Sequence, residues 1–532
     1  TNHSGPCPKR LIKGITCIGR RARRLYLNPL YRWVDFMHAL IHTVAFRGLD
    51  TVPVQVQAHL SNGLPAMMIV GLADKAVAES KERIRAALSS LGLSLPAKRI
   101  AINLAPADVT KEGAHFDLPI ALAILVAMGV LEQASLEKAI IIGELSLDGM
   151  ISPVSGALSG ALHAAGLQVP FICPAANGAE AGWAAKTDII ASPSLIGLVN
   201  HLKGQALLPP PEEMKLAANH HYPDMADVKG QETARRVLEI AAAGRHNLLM
   251  IGPPGAGKSM LASRLAGLLP PLQPAEALEV SMIQSLGGIL SSQAQDGGVI
   301  QRHRPYRDPH HSASMAALVG GGAKAKPGEI SLAHQGVLFL DELPEFQASV
   351  LDALCQPLET GEVIIARANH HIKYPARFQL IGAMNPCRCG YLADAARACS
   401  RAPQCGKNYV AKLSGPLLDR FDLIIDVAAL PPLDLLGDVT GPSSAEIAAR
   451  VMKATEFAYQ RQGEAKDDRN PDFEDGLRPF LEKAVTELDI TGRGYEKLVK
   501  VARTIADLDA APMIQKTHLQ EAMAYRKMRL VS

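Results

Sequence analysis

The sequence predicts an α/β protein whose central sheet carries a polyphosphate site. Three stretches predict it. Residues 247–259, NLLMIGPPGAGKS, read as a short buried strand over Leu248 to Ile251, a glycine-rich loop, and a helix opening at Lys258. Residues 336–342, GVLFLDE, read as an apolar strand ending in two carboxylates. Residues 378–385, FQLIGAMN, read as a third buried strand, ending in asparagine.

The loop matches G-x-x-x-x-G-K-[ST] at Gly252, Gly257, Lys258 and Ser259. Glycines let the backbone turn tightly, so successive N–H groups point at phosphate oxygens. The lysine brings positive charge to the β- and γ-phosphates, and the serine hydroxyl ligates Mg²⁺. The expected nucleotide contacts are Gly252, Pro253, Pro254, Gly255, Ala256, Gly257, Lys258, Ser259 and Met260. Asp341 is placed to hold the Mg²⁺ shell, and Glu342 to polarise an attacking water. Together they predict hydrolysis of a nucleoside triphosphate, with ATP and Mg²⁺ as the small-molecule partners.

A chain of 532 residues is too long for one core. No window holds the roughly 18 uninterrupted apolar residues of a membrane span. The net charge of +3 is unevenly placed. Residues 1–36 carry Lys9, Arg10, Lys13, Arg20, Arg21, Arg23, Arg24 and Arg32 against Asp35 alone, so without them the balance falls from +3 to −4. Overall charge therefore gives no argument for nucleic-acid binding, and any basic contact is local. Eight cysteines are few for this length, and four of them fall within 387–405. That pattern fits metal chemistry in a reducing cytoplasm, not a secreted disulfide framework.

In chain order, residues 1–36 are a basic segment that matches nothing after them. The favoured expectation is that they are not native and that the protein starts at Met37; a nucleic-acid arm and a targeting peptide are the alternatives. Residues 37–205 read as a first α/β unit. Val52 to Leu60 alternates as a strand, Ser61-Asn62-Gly63 turns it, and Ala66 to Val70 returns. A helix over 76–91, a strand over 99–104, an apolar helix over 116–130 and strands over 140–145 and 169–173 follow. Asp108, Lys111, Glu112 and His115 lie close together in a polar loop. A proline-stiffened linker covers 206–212. Residues 213–430 are the phosphate-loop core, 431–443 a second linker, and 444–532 a helical unit.

Between Lys258 and Asp341 there is room for inserted hairpins. RHRPYRDPHH over 302–311 is basic, and VGGGAKAKPG over 319–328 is glycine-rich and basic. Arg304, Arg307, Lys324 and Lys326 are candidates for tracking a DNA backbone, with subunit contacts in a ring as the alternative. His310 and His311 are weaker metal candidates. Residues 359–375 read as a second hairpin, with Arg367 and Lys373 as a candidate DNA-facing pair. Cys387, Cys389, Cys399 and Cys405 are spaced C-x-C-x9-C-x5-C. Tetrahedral Zn²⁺ takes four thiolates, so this loop is a candidate zinc site, with unliganded thiols as the alternative. Arg420 follows a helix and precedes a strand over 423–427, where an arginine can reach a neighbouring subunit's γ-phosphate. Arg493 sits at the start of a helix over 495–508, suited to contacting bound nucleotide.

QVQAHLSNGLP, IVGLADKAVAESKERIRAAL and NLAPADVTKEGAHFDLPIALAIL resemble the Lon-protease-like (S5-type) α/β domain that fronts magnesium-chelatase-related ATPases. His115 falls where a Lon serine would stand and Gly160 near its lysine, so no peptidase activity is expected. With GPPGAGKS, RPYRDPHHSAS, PGEISLAHQGVLFLDELPEF, YPARFQLIGAMNPCRCG, LSGPLLDRFDL and GYEKLVKVARTIADL, residues 37–530 resemble the Mg-chelatase-like AAA+ family of ComM/YifB type. Arg388 stands where the family more often has proline. The resemblance implies an AAA+ core with inserted hairpins and a C-terminal helical lid. It implies Lys258 and Ser259 on phosphate and Mg²⁺, Asp341 and Glu342 as Mg²⁺ ligand and water activator, Asn385 as sensor, Arg420 as trans-acting finger and Arg493 as second sensor. It further implies a homo-hexameric, ATP-driven translocase or helicase acting on single-stranded and branched DNA. Such a protein promotes branch migration when incoming DNA is recombined in natural transformation, with recombination proteins as possible further partners. A chelatase-type motor that remodels a protein partner is the alternative.

Overall fold

A computed structural model describes residues 38–72, 74–109, 111–184, 187–211, 215–216, 222–290, 299–300, 302–321, 326–366, 371–392, 397, 399–430, 441–464, 473–474, 476–477, 479–482 and 491–526. The N-terminal segment, Lys324 and Arg367 lie outside the described residues.

The first unit is a seven-stranded mixed sheet. Its elements include β1 (His38–Arg47), β2 (Asp50–Ser61), β3 (Ala66–Val70), α1 (Asp74–Ser90), β4 (Arg99–Ala105), α2 (Asp117–Ala127), β5 (Ile140–Ile141), α3 (Ala157–Leu167), β6 (Phe171–Pro174) and β7 (Ile189–Ser192). Strand order is β3-β4-β2-β1-β5-β6-β7. β1 and β2 are a hairpin in register His38↔His59 to Arg47↔Asp50. Every residue of α2, DLPIALAILVA, is buried, as expected of a helix that is apolar all round. The expected β2–β3 return does not form. β4 lies between them, antiparallel to β2 and parallel to β3. The expected strand over 140–145 is broken after Ile141 and resumes as Glu144–Leu145, which leaves this sheet to pair with Ile151–Ser152. At the break the chain turns to receive α2: Gly143 donates its N–H to His115 O at 3.0 Å and accepts from Leu118 N–H at 3.0 Å.

Asp117, at the start of α2, is 1% exposed. It accepts from Ser80 Oγ and from Arg83 Nε, both at 2.6 Å. Burial pushes its carboxyl up, and the Arg83 and Ser80 bonds oppose that shift. Asp117→Ala removes the buried acceptor of Ser80 and Arg83, leaving the guanidinium only Glu79 at 3.7 Å, and is expected to destabilise the protein by about 3 kcal/mol, read as a lowered midpoint in denaturant.

The second unit contains α4 (Glu232–Gly244), β8 (Leu248–Ile251), α5 (Lys258–Leu265), α6 (Pro274–Gly287), β9 (Tyr306–Arg307), β10 (Gly320–Gly321), β11 (Lys326–Pro327), β12 (Val337–Leu340), β13 (Glu362–Ala366), β14 (His371–Pro375), β15 (Gln379–Met384), α7 (Gln404–Val410) and β16 (Leu423–Asp426). Five strands form an all-parallel sheet of order β9-β12-β15-β8-β16. β8, β12 and β15 are buried throughout, as parallel strands covered on both faces are. β9 is a strand where the sequence reads as a basic loop. The pairs β10–β11 and β13–β14 are antiparallel hairpins outside this sheet.

The C-terminal region supplies α8 (Ser444–Glu464), α9 (Gly492–Leu508) and α10 (Lys516–Ala524). It is not helical throughout, since Phe473 bridges Ile514 in extended geometry. α8 and α9 pack on α4, and Arg236 of α4 donates to Glu521 of α10 at 2.9 Å.

The two sheets meet along a seam. Gly48, at φ +64°, turns β1 into β2 so close to β14 that a Cβ would lie 2.6 Å from Lys373 O. Ser285 of α6 bonds the buried Glu180 carboxylate, and its carbonyl accepts from Gly156 N–H at 3.2 Å. Among the described residues no helix is long and apolar enough to cross a membrane.

Candidate ATP-hydrolysis site

β8 ends at Ile251 and α5 begins at Lys258. Between them the chain folds as a phosphate loop at the carboxyl edge of the sheet. Gly252 lies against β16 so closely that a Cβ would meet Val427 O at 2.2 Å. Gly257 caps α5 in the left-handed region, φ +86°, where glycine carries no steric cost. Lys258 Nζ donates to Gly252 O at 2.8 Å, Pro253 O at 2.9 Å and Asn385 Oδ1 at 3.1 Å. Burial pushes its ammonium down, and the charges of Asp341 and Glu342 oppose this.

The carboxylate pair leaves β12 beside the loop. Ser259 Oγ donates to Asp341 Oδ2 at 2.6 Å, and Glu342 N–H donates to Asp341 Oδ1 at 2.8 Å. Ser259 and Asp341 thus offer two hard oxygen atoms side by side, which suits Mg²⁺ with its remaining water and phosphate ligands. Glu342 adopts φ +51° and its side chain is 53% exposed. Residues 254–260, Asp341, Glu342, Met384 and Asn385 line one cleft of about 380 Å³.

His311, without an assigned role in ATP chemistry, also reaches this place. β9 runs parallel beside β12, pairing Tyr306 with Val337 and Arg307 with Leu338. Residues just after β9 therefore emerge beside those just after β12. His311 Nδ1 lies 3.4 Å from Glu342 Oε2. Its ring is 4.1 Å from that of His310, which bonds Ser312 Oγ at 2.8 Å. Burial and the nearby Asp341 charge push the Asp308 carboxyl up. The His310–His311 pair joins no group of three metal-ligating side chains among the described residues.

Arg420 and Arg493 do not line this cleft. Asn247, which precedes β8, donates its side-chain amide to Arg420 O at 3.0 Å. Arg420 Nη2 donates to Glu359 Oε2 at 2.8 Å. Arg493 Nη1 lies 3.8 Å from Asp419 Oδ2, and its side chain is 67% exposed. Both residues sit at the amino edge of the sheet. The four residues of β8, at roughly 3.3 Å each, separate that edge from the phosphate loop.

The basic candidates divide. Arg304 is 7% exposed; it donates to Pro270 O at 2.7 Å, Gln335 O at 2.8 Å and Glu276 Oε2 at 3.1 Å. It is a buried brace, and the expectation that it faces DNA is corrected. Arg307 is held by both oxygens of Glu329, at 2.5 and 2.8 Å. Lys326 is exposed on β11. Lys373 is exposed on β14 and pairs with Glu362 at 3.4 Å across the hairpin.

The sulfurs of Cys387, Cys389 and Cys405 lie within 4.8 Å of one another. Cys399 interacts with the thiols of both Cys389 and Cys405. No disulfide links them.

The parallel sheet, its phosphate loop and the paired carboxylates define a nucleoside-triphosphatase of the AAA+ class. The family model of magnesium chelatase subunit ChlI matches residues 224–435, with further ChlI models matching 56–177 and 441–526. The chain is similar to the competence protein ComM of Haemophilus influenzae, at 44% identity over 92% of this chain and 97% of that one. It is equally similar to YifB of Salmonella typhimurium, with the same identity and coverage. The magnesium-chelatase 38 kDa subunit of Rhodobacter capsulatus is 28% identical, covering 55% of this chain and 83% of that one. The chain belongs to the Mg-chelatase-like AAA+ family and is of the ComM/YifB type.

Proposed function

We propose that this protein is an ATP-driven DNA translocase that works as a ring, six copies in the family manner, and promotes branch migration of recombining DNA. The observation that carries the proposal is the separation of the phosphate loop from Arg420 and Arg493. A chain whose cleft and arginines lie at opposite edges of one sheet completes its site with the arginines of a neighbour. The similarity to a competence protein directs the reading to incoming DNA in natural transformation, in the cytoplasm.

In this reading Lys258 and the loop N–H groups hold the β- and γ-phosphates. Ser259 and Asp341 would hold Mg²⁺, which when bound would supply positive charge against the phosphates. Glu342 polarises the attacking water, with His311 orienting its carboxylate. Asn385 aligns that water, and Arg420 and Arg493 of the adjoining copy meet the γ-phosphate. The β10–β11 and β13–β14 hairpins carry Lys326 and Lys373 towards DNA. We read residues 37–205 as a degenerate Lon-like unit without peptidase activity, since the His115 ring bonds Val44 O at 3.1 Å and supplies no nucleophile. Residues 213–430 are the motor and 444–532 its lid.

The test is displacement of one strand from a synthetic branched DNA by the full chain, with ATP, without ATP, and with Lys258→Ala. ATP-dependent displacement that the variant lacks supports the motor. Lys373→Ala is expected to weaken DNA binding and to reduce the slope of log affinity against log salt by about 1, the loss of one phosphate contact. If ATP is hydrolysed while no strand moves and DNA leaves turnover unchanged, the motor reading fails. The second reading, a chelatase-type motor remodelling a protein, then replaces it; the likeness to the 38 kDa chelatase subunit favours that one.

A further inference from the structure

Cys387 and Cys389, just past β15 and the nucleotide cleft, meet Cys405 at the start of α7. Cys387 is fully buried, and its sulfur lies 3.0 Å from that of Cys389. Short backbone turns hold the thiols in place. Gly390 N–H donates to Cys387 O, Ala402 N–H to Cys399 O, and Cys405 N–H to Arg401 O, each at 3.0 Å. The cluster joins two separate elements: Cys387 and Cys389 follow β15, whereas Cys405 belongs to the first turn of α7. α7 is in turn anchored in the core by Tyr409 and Val410. Three clustered sulfurs, with Cys399 beside Cys389 and Cys405 to supply a fourth and no carboxylate in the group, suit a borderline-soft tetrahedral cation. A sulfur-only tetrahedral set is filled by Zn²⁺ or by iron in a cluster.

The same loop rests on the phosphate loop. Gly390 is so close to Pro254 that a Cβ would meet Pro254 Cδ at 2.4 Å. Two residues before Cys387, Asn385 accepts the Lys258 ammonium at 3.1 Å. Gly406, the residue after Cys405, packs against Leu392 and the carbonyl of Pro386. The thiols are therefore joined to the nucleotide cleft at two points, one on the phosphate loop and one on its lysine.

We infer that Cys387, Cys389, Cys399 and Cys405 hold one Zn²⁺, and that the filled site braces the ATP cleft through Gly390 on Pro254 and Asn385 on Lys258. This rests on the reading of the cleft as an ATP site. Zinc binding displaces the thiol protons and replaces weak contacts between thiols with four metal–sulfur bonds. The loop then presents a fixed surface to Pro254, so the phosphate loop is ordered before ATP arrives.

The experiment uses the full chain purified without chelator. Mass spectrometry of the metal content is expected to find one zinc and no iron per chain, with the zinc lost in Cys405→Ser. The wild-type chain is then stripped by chelator under reducing conditions and reloaded with Zn²⁺, and binding of a fluorescent ATP analogue is titrated in each state. Stripping is expected to weaken binding about tenfold, the scale of ordering a short loop segment, and reloading to restore it. The stripped and reloaded wild type carries the test if Cys405→Ser does not fold. A chain that holds no zinc and takes up none, or that holds iron in its place, overturns the site. Zinc that leaves ATP affinity unchanged on removal overturns the brace. A chain that holds zinc and binds ATP in neither state overturns the brace together with the ATPase reading, and leaves the metal site standing.

Discussion

Arg420→Ala is expected to lower ATP turnover by about 10³-fold or more while leaving ATP binding nearly unchanged. Arg420 sits at the amino edge of the sheet, its carbonyl accepting from Asn247 and its guanidinium bonded to Glu359, so it contributes little to nucleotide affinity within its own chain. Its proposed work is on the charge that develops as the γ-phosphate leaves a neighbour. Mixing supplies the decisive measurement. Arg420→Ala keeps its own cleft intact, and Glu342→Gln keeps its own arginine. In a head-to-tail ring, each Arg420→Ala cleft beside a Glu342→Gln copy regains a finger, so two inactive preparations recover turnover when combined. Glu359→Ala is the control. If it reproduces the loss, the arginine matters for its ion pair alone; if mixing restores nothing, the shared site is wrong.

Glu342→Gln is expected to reduce turnover by about 10³-fold, within the range of losing a general base, with ATP binding retained. The amide matches the carboxylate in shape and tolerates the same backbone, so the left-handed turn at φ +51° survives. Asp341, which holds Ser259 at 2.6 Å, is untouched, so Mg²⁺ binding should persist. The measurement is phosphate release in a single turnover beside equilibrium binding of labelled ATP. A variant that loses both together would show that Glu342 serves the cleft's architecture and does not activate water.

Most of the ATP cleft is legible in the sequence, because its residues sit at the ends of strands whose apolar runs announce them. What is not legible depends on which strands lie side by side. His311 comes to Glu342 only because β9 pairs with β12, and a two-residue strand within a basic run has no periodicity to reveal it. Arg304 misleads for a related reason. A basic run reads the same whether its guanidinium meets water or, as here, two carbonyls and Glu276. β1 goes unread because alanines at 39 and 45 carry part of its inward face, which lowers the contrast of an alternating strand. The β2–β3 return fails although its turn residues fit, because turn chemistry says nothing about a third strand that enters between the two. Arg420 and Arg493 have helix-end positions that sequence can locate, but the edge of the sheet they occupy is set by the pairing of β16 with β8.

The seam between the sheets has a mechanical meaning. Phe46 and Leu49 pack into the same apolar cluster as Ile372 and Tyr374 of β14, and Gly48 rests on the carbonyl of Lys373. The β13–β14 arm is therefore propped partway along its length by the first sheet as well as rooted in the second. A prop shortens the free span of an arm and stiffens it, so in the proposed motor a load at the turn end would be shared between both sheets and less of each stroke would be lost to bending. The first unit, which lines none of the ATP cleft, would on that proposal be a strut of the motor, and removing it would soften the arm without touching a residue of the cleft.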